Sequence, residues 1–236
     1  MANAVLQVQS PLAAYAIAAG LEALVDLVPL DRVREIQPIL KIATDAQKKT
    51  DLLLASSRVG GRYPHIQSLS TELGLRLNNP EYHRARATSA VDRGDLKEAV
   101  EGLRSALKRQ PNQEALWSQL FHLEIQRLST RPSADANGEV RKEILLASDL
   151  GFISVYQQSF FEGQILMLEG KFADAARCFD NAADAQSSDR EKILAVALAT
   201  SSRLKAALPK TLPPKKVNRP RVEETTSVTQ SGATNQ

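Results

Sequence analysis

Residues 87–111, ATSAVDRGDLKEAVEGLRSALKRQP, return 76 positions later as residues 163–187, GQILMLEGKFADAARCFDNAADAQS. Ala87, Gly94, Ala99, Leu103, Ala106 and Pro111 in the first stretch are matched by Gly163, Gly170, Ala175, Phe179, Ala182 and Ser187 in the second. Steps of 7, 5, 4, 3 and 5 residues predict two helices joined by a tight glycine turn, a unit that cannot bury its apolar face alone. Gly94 and Gly170 stand where the chain reverses and φ must turn positive. Ala87 and Gly163, two helical turns earlier, and Ala99 and Ala175, one turn later, are small enough for the backbones to approach closely. Leu103 and Ala106, like Phe179 and Ala182, complete the apolar stripe facing the partner helix, and Pro111 stops the first unit.

On these residues the chain resembles the tetratricopeptide repeat family, whose unit is about 34 residues long. The first unit is read from Pro80 to Gln113 and another from Tyr156 to Asp189. The 42 residues between them, 114–155, place Trp117 and Leu120 as a first helix does, and Val140, Ile144 and Ala147 as a second. Their turn, Ser129 to Gly138, is roughly eight residues longer than the repeat requires, and it is read as an inserted loop. Residues 190–208 are read as a capping helix with Ile193, Leu194, Ala197, Leu198 and Leu204 on its packed side. His83, Arg86 and Ser187 depart from the Trp, Leu and Pro usual in the family. The fold expected is all-α, an α-α superhelix in the form of a right-handed solenoid, preceded by an N-terminal helical region (1–79) that is itself readable as a degenerate repeat.

In that first region Ser10-Pro11 reads as the start of a helix reaching about Val28. Glu22 and Asp26 interrupt its apolar run, so no membrane span is expected, and without a basic lead or cleavage site no signal peptide either. Pro38 is expected to break a second helix, with a third running from about Pro38 to Ser57. Gly60-Gly61 punctuates the chain. From Pro64 onward Ile66, Leu69, Leu73 and Leu77 then mark an amphipathic helix that ends at Asn78-Asn79-Pro80.

The chain carries 30 basic and 27 acidic residues. Five of the basic ones, Lys210, Lys215, Lys216, Arg219 and Arg221, lie beyond residue 208 with Glu223 and Glu224, so the remainder balances at 25 against 25. A tail at 209–236 with four prolines in its first dozen residues reads as disordered, basic and polar. It lacks the aromatic residues that accompany basic ones in single-strand nucleic-acid binders, which makes nucleic acid the weaker partner class.

Little in the sequence points to catalysis. Cys178 is the single cysteine, too few for a disulfide framework or thiolate metal site, and consistent with a cytoplasmic protein. His65, His83 and His122 show no paired ligand spacing, so neither a metal nor another cofactor is expected. Arg58 before His65, and Arg76 before His83, have the Arg-x(4–6)-His spacing of the helical ribonucleases called HEPN domains. Chance alone supplies about 0.7 such pairs in a chain with this many arginines. No Walker-type phosphate loop is present, and the reading is of a non-enzymatic protein.

The family resemblance implies that first helices line a concave groove whose outward side chains choose a partner. Those positions are Arg84, Thr88 and Val91 in the first unit, Ser118, His122 and Ile125 in the middle one, and Phe160, Gln164 and Met167 in the last. They do not reproduce the Lys and Asn set with which some family members clamp a C-terminal carboxylate. Ile125, Phe160 and Met167 point instead to an apolar helix or extended peptide from another protein. The expected function is that of a protein-interaction adaptor, with self-association as a further use and a nucleic-acid-associated role for the tail as the alternative.

Overall fold

A computed structural model describes residues 7–56, 64–130, 133–185 and 188–208. Among them are ten α-helices, one short 3-10 turn and no strand, so the fold is all-α as expected. The helices are α1 (Pro11–Leu27), α2 (Val33–Ala55), α3 (Pro64–Asn78), α4 (Pro80–Asp92), α5 (Leu96–Arg109), α6 (Glu114–Thr130), α7 (Ala134–Asp149), α8 (Val155–Leu168), α9 (Phe172–Ala185) and α10 (Asp189–Ala207). Arg58, Gly60-Gly61, Ser187 and the tail lie outside the described residues.

The two repeated stretches fold as helix pairs, α4 with α5 and α8 with α9. Each first helix ends in the same way. The Gly94 amide donates to the Val91 carbonyl and the Asp95 amide to the Ala90 carbonyl; Gly170 and Lys171 do likewise to Met167 and Leu166. Both glycines have positive φ, 77° and 72°, which lets these otherwise orphaned carbonyls be satisfied inside the turn. Asp95 then caps α5 by accepting the Glu98 amide at 3.0 Å. Gly151 makes a third turn of this kind between α7 and α8, at a position the sequence reading passed over.

Between the pairs, α6 and α7 correct one expectation. The residues read as an inserted loop are largely helical, because α6 runs on to Thr130 and α7 begins at Ala134. The extra length of the middle unit is taken up in longer helices. Trp117 is fully buried in α6, its indole N–H donating to the Pro111 carbonyl at 2.7 Å. One continuous core holds Trp117, Phe121, Phe161 and Phe179, with side chains from α4 through α10. Burying one such aromatic contributes about 1.5–3 kcal/mol.

A second apolar cluster joins α1, α2 and α3 through Ala18, Val25, Val33, Ile36, Leu40, Leu73 and Leu77. Pro38 does not break a helix here; it lies within α2, whose flanking Ile36 and Leu40 are both buried. That burial on either side holds the helix through the hydrogen bond that proline removes. The N-terminal helices dock on the repeats through charge. Glu22 lies 3.5 Å from both Arg76 and Arg109, Arg109 also reaches Asp26 at 3.5 Å, and Lys108 donates to the Asp26 carbonyl at 2.6 Å. Leu30, in the turn after α1, enters the larger core.

The last helix corrects another expectation. α10 packs through Ala195, Ala199 and Ser202, with Leu198 partly buried, whereas Ile193, Leu194 and Leu204 are exposed. No single helix among the described residues is long and apolar enough to cross a membrane.

Candidate binding cleft

The first helices of the first two units, α4 and α6, stand apart and leave an open cleft of about 440 Å³ between them. Five of the nine positions assigned to a groove line it: Arg84, Thr88, Val91, Ser118 and His122. Ala87, Leu103 and Leu123 supply apolar lining, and Gln119 completes the set. Helical spacing explains the arrangement. Arg84, Thr88 and Val91 share one face of α4, and Ser118 and His122 share the face of α6 turned toward it.

The polar groups of the cleft are held by local bonds. Thr88 Oγ1 donates to the Arg84 carbonyl at 3.1 Å, and Arg84 reaches Glu81 at 3.5 Å from outside the cleft. His122 Nδ1 donates to the Ser118 carbonyl at 2.7 Å, while its ring stands edge-on to Phe161, 5.1 Å between centroids. Ser118 Oγ accepts from Gln157 at 2.7 Å, which ties α6 to α8. Val91 is 40% exposed, an apolar side chain open to solvent at the mouth. The lining carries Arg84 as its cation and no carboxylate.

The other four groove positions do not join this cleft. Ile125 and Phe160 are buried in the core, 9% and 6% exposed, and the assignment of both as partner-contacting residues is corrected by that burial. The cause is direct packing of α6 on α8, where Phe121 and Phe161 meet at 5.4 Å. Phe160 is further engaged by Tyr156, Phe161 and Phe179 at 5.5–5.9 Å. Met167 packs against the same core, and Gln164 is half-buried on α8 away from the cleft. Sequence reasoning missed Ala87, Leu103, Gln119 and Leu123 as lining. Ala87 and Leu103 were read only as contacts between helices, and they are also what the cleft exposes beyond that contact.

The groups considered for chemistry have structural surroundings. His83 is 3% exposed; its Nε2 donates to the Arg76 carbonyl at 2.8 Å, and burial together with the nearby Arg109 guanidinium lowers its pKa to about 4. The Arg76 guanidinium turns to Glu22 and Glu72, away from that imidazole. Burial pushes the Cys178 thiol up, and Glu162 and Asp174 push it further, the reverse of what activates a thiolate. Among the described residues no group of three or more His, Cys, Asp and Glu side chains is placed to hold a metal ion. Elsewhere, Arg104 bridges Glu124 (2.8 Å) and Glu143 (2.9 Å), joining α5, α6 and α7. Glu124 is fully buried and also meets Arg127 at 2.7 Å, so this cluster belongs to the packing of the middle unit.

No known protein family, curated protein or solved structure matches the chain.

Proposed function

We propose that the protein is a non-enzymatic adaptor of tetratricopeptide-like build that docks a segment of another protein in the α4–α6 cleft. The observation that carries this reading is the convergence of Arg84, Thr88, Val91, Ser118 and His122 on one open cleft with an apolar lining. Apolar surface open to solvent beside a few oriented polar groups is what a docked peptide uses, the first for affinity and the second for register. With Arg84 as its cation and no carboxylate in the lining, the cleft fits an apolar segment that carries an acidic residue.

The experiment is selection from a displayed peptide library on the full chain, repeated on Thr88→Trp, which fills the cleft from an exposed position, and on Arg84→Glu. Apolar peptides with an acidic residue are expected from the full chain. Thr88→Trp should abolish their capture, and Arg84→Glu should weaken it about tenfold or more, the size of a lost charge-assisted contact. Peptides that bind both variants as well as the parent would place the docking surface elsewhere. Capture that disappears when residues 209–236 are removed would favour the tail instead.

A further inference from the structure

α10 repeats the register of α8 at a distance of 34 residues, and its two sides have opposite fates. Ala195, Ala199 and Ser202, which pack inward, stand 34 residues after Phe161, Ile165 and Leu168 of α8. Ile193, Ala197 and Thr200 stand 34 residues after Ser159, Gly163 and Leu166, the side of α8 on which Gly163 meets Phe179 of its own second helix α9. In the first unit the matching residues, His83, Ala87 and Ala90, are all buried. In α10 they are bare, Ile193 by 69%, and Leu204 and Leu208 extend the stripe at 66% each. Leu204 occupies the place of Gly94 and Gly170, so α10 runs through the point where those units turn. Among the described residues no second helix folds back on it.

We propose that this stripe is covered by α10 of a second copy of the chain, packed antiparallel across a two-fold axis. A second helix of a repeat runs antiparallel to the first, and a two-fold copy of α10 arrives in that same direction. Residues 209–214, next in the sequence, contain Pro209, Pro213 and Pro214, which are poor chemistry for a helix that would cover the stripe from within. The stripe is also self-complementary. Antiparallel pairing centred between Thr200 and Ser201 sets Ile193 of one copy against Leu208 of the other and Ala197 against Leu204, with small side chains at the axis. It also opposes the helix dipoles of the two copies. Arg203 and Lys205 are already anchored on α9, by Asp180 and the Phe172 ring, which fixes the orientation of the helix that is presented.

The proposal rests on the repeat register and is independent of the α4–α6 cleft. Its test is the mass of the full chain by light scattering and sedimentation at concentrations up to roughly 100 µM. Twice the 25.8 kDa monomer mass is expected. Ile193→Glu with Leu204→Glu, both exposed and so compatible with folding, should raise the dissociation constant at least about tenfold with unchanged helical circular dichroism. In a Cys178→Ala background, Thr200→Cys should form a disulfide-linked dimer on mild oxidation. Ile193→Cys should not, since antiparallel pairing holds the two copies of that residue about 22 Å apart along the axis. A monomer throughout, a dimer indifferent to the double variant, or cross-linking at Ile193→Cys in preference to Thr200→Cys would each overturn it. In the first case the stripe belongs to a helix of a different protein.

Discussion

The hairpins α4/α5 and α8/α9 share one template and solve its tightest contact in opposite ways. In the first, Ala87 faces the second helix and the missing side chain is across from it: a Cβ on Gly102 would lie 3.0 Å from Ala87 Cβ and 3.1 Å from the His83 carbonyl oxygen. In the second, Cys178 stands where Gly102 did, and the missing side chain has moved to the first helix. A Cβ on Gly163 would lie 2.8 Å from the Phe179 ring. Leu103 goes with alanine and Phe179 with glycine. The template requires a glycine at the crossing and leaves open which helix supplies it.

The largest difference between the hairpins is expected in acid. His83 of the first corresponds to Ser159 of the second. His83 has a buried Nδ1 with no hydrogen-bond partner, and it faces the Arg109 guanidinium from α5, the Arg76 backbone carbonyl from α3, Asp26 from α1 and Arg86 from its own helix. Burial and then Arg109 depress its folded pKa to about 4 from 6.5, against the smaller upward pulls of the Arg76 carbonyl and Asp26. A base with a depressed folded pKa stabilises fully above its unfolded value, and that contribution is lost as pH falls through the folded one. The loss between pH 6.5 and about 4 amounts to about 2–3 kcal/mol. Glu22 works in the opposite sense, because burial raises its carboxyl and favours the folded state at low pH. Urea midpoints of the parent and His83→Gln across this range isolate the imidazole. The parent should lose stability relative to the variant, with amide exchange quickening in α4/α5 before α8/α9; parallel pH curves would break the comparison.

Next in size is the crossing itself. Gly163→Ala forces its methyl into a fully buried ring and should destabilise by about 2 kcal/mol. Phe179→Leu in the same chain rebuilds the Ala and Leu combination of the first hairpin and should recover more than half of that loss. Gly102→Ala should cost a comparable amount, since its methyl meets the His83 carbonyl and the Ala87 backbone, neither of which can turn aside. Thermal or urea unfolding of the singles and the double gives the coupling. Additive single effects would mean that the two hairpins are not versions of one crossing.

These contrasts mark what could be read without coordinates. Ala87, Gly94, Ala99 and their partners 76 residues on were legible because close helix contact and positive φ restrict residue type at fixed local spacing. The stripe of α10 was legible as apolar and was assigned to the wrong side, since periodicity shows that two faces differ and not which of them meets a neighbour. Ile125 and Phe160 failed for a related reason. They were placed on an outward face one unit at a time, and the direct contact of α6 with α8 buries them. Glu22, Arg76 and Arg109 were invisible because a charge cluster drawn from α1, α3 and α5 has no local period. Arg84 to Val91 and Ser118 to His122 share the cleft because α4 and α6 turn these faces toward each other across it.

The smallest effect separates shared turn geometry from unshared packing. A Cβ on Gly94 or Gly170 would meet nothing within 4 Å, so the whole cost of alanine at either site is its positive φ. That cost is local and amounts to about 1–2 kcal/mol for a non-glycine residue. Gly94→Ala and Gly170→Ala should therefore lower stability equally, within a few tenths of a kcal/mol, although the crossings beneath them differ. Gly170→Ala should also add to Gly163→Ala without coupling, because the turn and the ring contact share no side chain. Unequal turn effects, or strong coupling between residues 163 and 170, would mean that the crossing bends the backbone as far as the turn. The hairpin would then be a single mechanical unit in which volume and dihedral angle are no longer set separately.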